Sequence, residues 1–133
     1  MGATFDIPIG ASAERALTVT REMTVAHYHE LMPEVFGTPV MIYHMEVTAS
    51  EAIQAHLPDG WVSVGVVVNV RHLAATPVGM QVTFKAVARE VKNGTITFEV
   101  EAYDEKEKIG EGIHIRAAVE LSRFMKRVEA KSK

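Results

Sequence analysis

Residues 38–73, TPVMIYHMEVTASEAIQAHLPDGWVSVGVVVNVRHL, change their hydrophobic period once, and that change decides the fold. Thr38 can cap a helix, Pro39 suits its first position, and helix-compatible sequence continues to about Leu57, where Pro58, Asp59 and Gly60 stop it. Val40 to Met45 are apolar nearly all round, the signature of a helix buried on most sides. After Gly60 the period becomes two: Val62, Val64, Val66, Val68 and Val70 fall on one face, and His72 is the next residue on it.

Downstream, residues 79–91 put Met80, Val82, Phe84, Ala86 and Ala88 on one side of a strand. Asn93-Gly94 signals a hairpin, and 95–103 places Ile96, Phe98, Val100 and Ala102 inward. Asp104 to Lys108 read as a solvated turn. In the last strand Ile109, Ile113, Ile115, Ala117, Val119 and Leu121 share an inward face, which turns His114 and Arg116 the other way. Upstream, 16–25 reads as a first strand and 26–36 as a short helical or irregular segment broken at Pro33, a mobile connection carrying Met32, Val35 and Phe36. The expected architecture is α+β, a long central helix wrapped by one antiparallel sheet. A single sheet over one helix leaves apolar surface at the helix and at a strand edge, so a homodimer is expected.

The length of 133 residues suits one domain, 1–133, with an ordered core at about 16–127 and a tail from Glu129 to Lys133. Fourteen Lys and Arg against 17 Asp and Glu give a net charge of −3, which argues against a nucleic-acid partner. The absence of cysteine removes disulfides, thiolate nucleophiles and Cys-ligated metals. No apolar run approaches the roughly 20 residues of a membrane span, and the first residues lack a basic stretch followed by an apolar one. The expectation is a cytoplasmic protein without a membrane partner.

Three residues stand out chemically. Glu46 lies among Ile42, Met45, Val47 and Ala49, where a carboxylate must be paired, hydrogen-bonded or protonated; it reads either as an ion-paired side chain or as a general base or nucleophile. Thr38 reads as a helix cap, or as part of an oxyanion site at the helix N-terminus. His72 is either a satisfied structural histidine or a proton donor reaching over the helix. Standard motifs are missing: Gly60 to Gly65 has the wrong spacing for G-x-S-x-G, and there is no phosphate-binding glycine loop. His27 and His29 could form a metal pair but lack an obvious partner set. Arg123, Lys126, Arg127, Lys131 and Lys133 form a basic cluster that is either a solvated face or a contact for ligand phosphates.

Three stretches, Val35-Phe36-Gly37-Thr38-Pro39 through Met45-Glu46, His72 to Gly79, and Gly110 to Arg116, together resemble the hotdog-fold acyl-CoA thioesterases of the fluoroacetyl-CoA thioesterase type over roughly residues 16–127. In that family a Thr, a Glu eight residues later and a His 34 residues after the Thr form the catalytic set, and the resemblance places them on Thr38, Glu46 and His72. It implies hydrolysis of a short-chain acyl-CoA thioester with no metal or cofactor beyond the coenzyme A of the substrate. It also implies substrate contacts by Arg116, with Phe36, Met32 and Gly65 as further candidates. Ile115 departs from the close relatives, which carry a Glu between the His and the Arg. A continuous helix would hold Thr38 and Glu46 about 12 Å apart along its axis. The site is therefore expected to be completed across a dimer interface, or the substrate carbonyl lies between groups that do not touch. The alternatives are a non-catalytic acyl-CoA binding module of the same fold and a hydratase, the latter disfavoured because no Asp has a His five positions on.

Overall fold

Packing of one helix against one sheet organises the chain, and the computed structural model describes residues 6–133. The stretch 1–5, part of the N-terminus read above for a leader, lies outside the described residues. In chain order the elements are β1 (Ser12–Thr18), α1 (Val25–Tyr28), α2 (Thr38–Gln54), β2 (Trp61–His72), β3 (Gln81–Lys92), β4 (Thr95–Tyr103), β5 (Lys108–Glu120) and α3 (Leu121–Lys131). The five strands make one antiparallel sheet in the order β1-β3-β4-β5-β2. The α+β expectation of a central helix on one sheet holds.

Alternation sets the core. Val82, Phe84, Ala86 and Ala88 of β3 and Ile96, Phe98, Val100 and Ala102 of β4 are fully buried, and α2 lays Met41, Met45, Ala49, Ala52 and Ile53 onto them. The β3–β4 hairpin turns on Asn93 and Gly94, both at positive φ (53° and 81°), the backbone that a two-residue turn matching strand twist requires. Asp104 holds the next turn by accepting the N–H groups of Lys106 and Glu107.

Several strand and helix assignments differ from the sequence reading. β1 runs Ser12–Thr18 rather than 16–25, because Val19 turns into the core and the chain then enters a single 3-10 turn at Arg21–Met23. The segment bearing Val35 and Phe36 is pinned, not mobile: isolated bridges join Thr24 to Phe36 and Val35 to Pro77, and Phe36 is buried. α2 is not covered on all sides, since Tyr43 is 60 % exposed. Of the residues read as a C-terminal tail, Glu129 to Lys131 extend α3, whose Leu121, Met125 and Val128 stay exposed.

The two strands nearest the site change phase. In β2 a bulge between Gly65 and Val67 breaks the valine stripe, so Val62 and Val64 lie on the opposite face from Val68, Val70 and His72. In β5 the inward set is Gly110, Gly112, His114 and Arg116, which pair with the buried Ala102, Val100, Phe98 and Ile96 of β4. Ile113 and Ile115 face outward as a result, the reverse of the alternation expected from their hydrophobicity. The reason is room: a Cβ on Gly110 would stand 2.6 Å from Met41 Sδ, so the strand presents glycines where the α2 methionines press on it.

Candidate active site

Thr38 is the first residue of α2, and the capping position falls to Gly37, whose N–H donates to the Met23 carbonyl. This corrects the reading of Thr38 as the cap: one residue into the helix, its hydroxyl no longer serves the first turn. Thr38 Oγ1 instead lies 2.7 Å from Nδ1 of His72, at the end of β2. Pro39 has no N–H and the Val40 N–H donates to the Gly37 carbonyl. The oxyanion donors this end of the helix can offer therefore come down to Thr38's own hydroxyl and N–H.

His72 keeps its inward orientation because its face of β2 is set after the bulge. Burial pushes its pKa below the ordinary 6.5, opposed by the Ala74 backbone, so the ring favours the neutral form. Nδ1 carries the bond to Thr38, whereas Nε2 is buried without a hydrogen-bond partner, which is unusual for a buried polar atom. The pair opens onto a cleft of about 370 Å³ walled by Val25, Val35, Phe36, Leu73, Ala74 and Ala75, an apolar space with one hydroxyl and one imidazole. Phe36 is thus a wall and part of the core at once, whereas Met32 stands 45 % exposed in the preceding turn.

Glu46 lies two turns along α2 and does not join this pair. Its carboxylate is about one-third exposed and sits 3.6 Å from Nη1 of Arg116 and 3.8 Å from Nε2 of His114. The sequence reading turned both β5 residues outward, but His114 and Arg116 are buried, 1 % and 7 % exposed. Arg116 donates from Nε to Ser63 Oγ and from Nη2 to the Ser63 carbonyl, each at 2.7 Å. Gly65 faces the same carboxylate: a Cβ there would run into Glu46 Oε2, so the glycine makes the seat. A small cleft of about 210 Å³ beside it is lined by Tyr43, Glu46, Val47, Ser50 and Arg116.

The chain thus carries two separate clusters, Thr38–His72 and Glu46–Arg116, at different points along α2. Sequence reasoning singled out Thr38, Glu46, His72, Gly65 and Arg116 and passed over Ser63 and His114, which the structure places against Arg116. An inward histidine two residues from an inward arginine was the available signal, hidden by the phase of β5. Among the described residues no group of three or more His, Cys, Asp or Glu is arranged to hold a metal ion, the His27–His29 pair included. No helix among them is long and apolar enough to cross a membrane. The basic cluster read at the C-terminus lies on or just beyond α3, where Arg123 pairs with Glu120.

Residues 19–122 match the model of a family described as fluoroacetyl-CoA-specific thioesterase. The chain is 38 % identical over 100 residues to the fluoroacetyl-CoA thioesterase of Streptantibioticus cattleyicolor, covering 75 % of this chain and 72 % of that one. A solved structure of a fluoroacetyl-CoA thioesterase superposes with a TM-score of 0.88 at 32 % identity over 95 % of this chain and 98 % of the other. A thioesterase superfamily member from Thermus thermophilus gives 0.86 at 30 % identity, covering 95 % and 96 %. A hot-dog-like protein from Thermanaerovibrio acidaminovorans gives 0.86 at 27 % identity, covering 93 % and 92 %.

Proposed function

The chain belongs to the fluoroacetyl-CoA-specific thioesterase family and is a hotdog-fold acyl-CoA thioesterase, and on that premise we propose that it hydrolyses short-chain acyl-CoA esters with Thr38, Glu46 and His72 as its reacting groups. The observation that carries the assignment is the Thr38–His72 hydrogen bond at the mouth of an apolar cleft sized for a small acyl group. Glu46 activates water or attacks the thioester carbonyl, Thr38 stabilises the oxyanion, and His72 orients the substrate or protonates the departing thiolate. The products are the free acid and coenzyme A, and the side chains draw on no metal. Phe36 bounds the acyl group, Met32 lies on the approach, and Gly65 and Arg116 serve the half-site of Glu46.

We further propose that the working unit is a homodimer of single-domain chains in the cytoplasm, each site taking Thr38 and His72 from one protomer and Glu46 from the other. Two observations support this. Within one chain Glu46 does not approach the Thr38–His72 pair but turns to Arg116. The sheet also ends on β2, an edge strand with Val66, Val67 and Val68 exposed at 58 %, 40 % and 42 %, a surface that invites pairing.

A thiol-release assay over acyl-CoA esters of increasing chain length, acetyl-CoA and fluoroacetyl-CoA among them, tests the reading. Glu46→Gln is expected to lose about 10² to 10⁴ in turnover while still binding acyl-CoA. Near-normal turnover in that variant would remove Glu46 from the chemistry. Tight binding of an ester with no thiol released by the unaltered protein would replace the enzyme by a binding module.

A further inference from the structure

Beneath the middle of α2, Ser63 of β2 and His114 and Arg116 of β5 join into a buried polar relay that ends at Glu46. A guanidinium brought out of water must have its N–H groups met, and its plane is fixed by where they are met. Here Nε and Nη2 are taken by the two oxygens of Ser63, and Nη1 points to His114 Nε2 at 3.1 Å. These three directions leave the group no freedom to rotate.

The protonation of His114 follows from its partners. Nδ1 lies 2.8 Å from the Val67 carbonyl, which can only accept, so Nδ1 carries the proton. Nε2 is then a lone pair, as an arginine donor requires. Burial first, and the Arg116 charge after it, hold the ring below its ordinary pKa, against the Val67 hydrogen bond and Glu46. Phe98, its cross-strand partner on β4, stacks against the ring at 28° between planes. His114 is therefore a neutral, oriented acceptor.

The Glu46 end of this relay is open. At 3.6 Å from Nη1 its carboxylate feels a fixed positive charge without being closed by a good hydrogen bond, and the His114 lone pair at 3.8 Å cannot donate to it. The missing Cβ of Gly65 keeps the space over Oε2 clear. A carboxylate so placed is aimed and keeps an acceptor position open toward the small cleft beside it.

We propose that Ser63 and His114 are positioning residues that act through Arg116 to aim the Glu46 carboxylate in the hydrolytic reaction. The proposal rests on Glu46 being a reacting group, and the experiment separates the two. In the full-length protein, steady-state thiol release is measured for Ser63→Ala, Ser63→Thr, His114→Asn and His114→Gln, with thermal melting as the check on folding. Ser63→Ala and His114→Asn are expected to lower kcat about ten- to a hundredfold with KM little changed. Ser63→Thr keeps the hydroxyl and His114→Gln can still offer an oxygen to Arg116, so each is expected to recover most of the lost turnover. In a Glu46→Gln background, Ser63→Ala is expected to cost nothing further. Wild-type kcat in Ser63→Ala, or equal turnover in the two His114 variants, with Glu46→Gln inactive, overturns the relay and leaves the function standing. Active Glu46→Gln overturns the function reading itself.

Discussion

His72 shows how one side chain acquires chemistry from its surroundings. Its Nδ1 meets the Thr38 hydroxyl while its Nε2 stays buried and unmatched, so the two residues act as a unit and their loss should not add. Thr38→Ala, His72→Ala and the double variant are expected to show about the same loss of turnover in the thiol-release assay; independent, multiplying losses would show that the hydrogen bond has no part in the reaction. Three histidines, His44, His72 and His114, are held below the ordinary 6.5, first by burial in each case. Above that value they are neutral folded and unfolded, and stability is complete. As pH falls through it the unfolded chain takes up protons that the folded rings resist, so stability drops until the folded rings protonate too. Melting temperature should accordingly fall as pH is lowered below about 6.5, and a flat profile across that range would contradict the burial argument. These residues were legible as candidates because an imidazole on an apolar face and a carboxylate in an apolar helix stand out against their neighbours. Their partners were not, because hydrogen bonds between residues 34 or 53 positions apart depend on strand register.

The elements carry the site through β2 and β5, and here the glycines matter more than the aliphatics. Gly65 makes space for the Glu46 carboxylate and Gly110 for Met41 and Met45. The two should respond differently to alanine. Gly65→Ala displaces a functional group at a partly open position, so turnover is expected to fall while the melting temperature changes little. Gly110→Ala overpacks a closed core and is expected to destabilise by about 1–3 kcal/mol, read from denaturant melts. The opposite pattern would mean that the strands do not stand against α2 as described. Alternation in β3 and β4 could be read directly, because both are interior strands with one face wholly on the core. It failed for β2, where a bulge shifts the face, and for β5, where outward isoleucines outweighed inward glycines in the hydrophobic pattern.

At the scale of the whole molecule, the proposed dimer turns on the edge strand β2 and the cluster around Glu46. Val67→Lys places a charge in the exposed valine run, a device that blocks edge pairing. The variant is expected to sediment as a monomer and to lose turnover in parallel, since the proposed site needs both protomers. A monomer with full activity would show that each chain completes its own site. The exposed apolar side of α3, formed by Leu121, Met125 and Val128, follows directly from β5, the neighbour of β2, and adds to the unburied surface on this part of the fold.

By itself the sequence determined the long central helix, the hairpin at Asn93-Gly94 and the inner faces of β3 and β4, and its resemblance to a known family singled out Thr38, Glu46 and His72. The helix, hairpin and inner faces depend on local propensity and period, and the candidate residues on a match to a family pattern. Tertiary structure decided that Thr38 bonds His72 instead of capping its helix, that His114 and Arg116 turn inward, and that Glu46 is seated over Gly65. Each of those outcomes follows from register and from the room left between α2 and the sheet, which no stretch of the chain contains on its own.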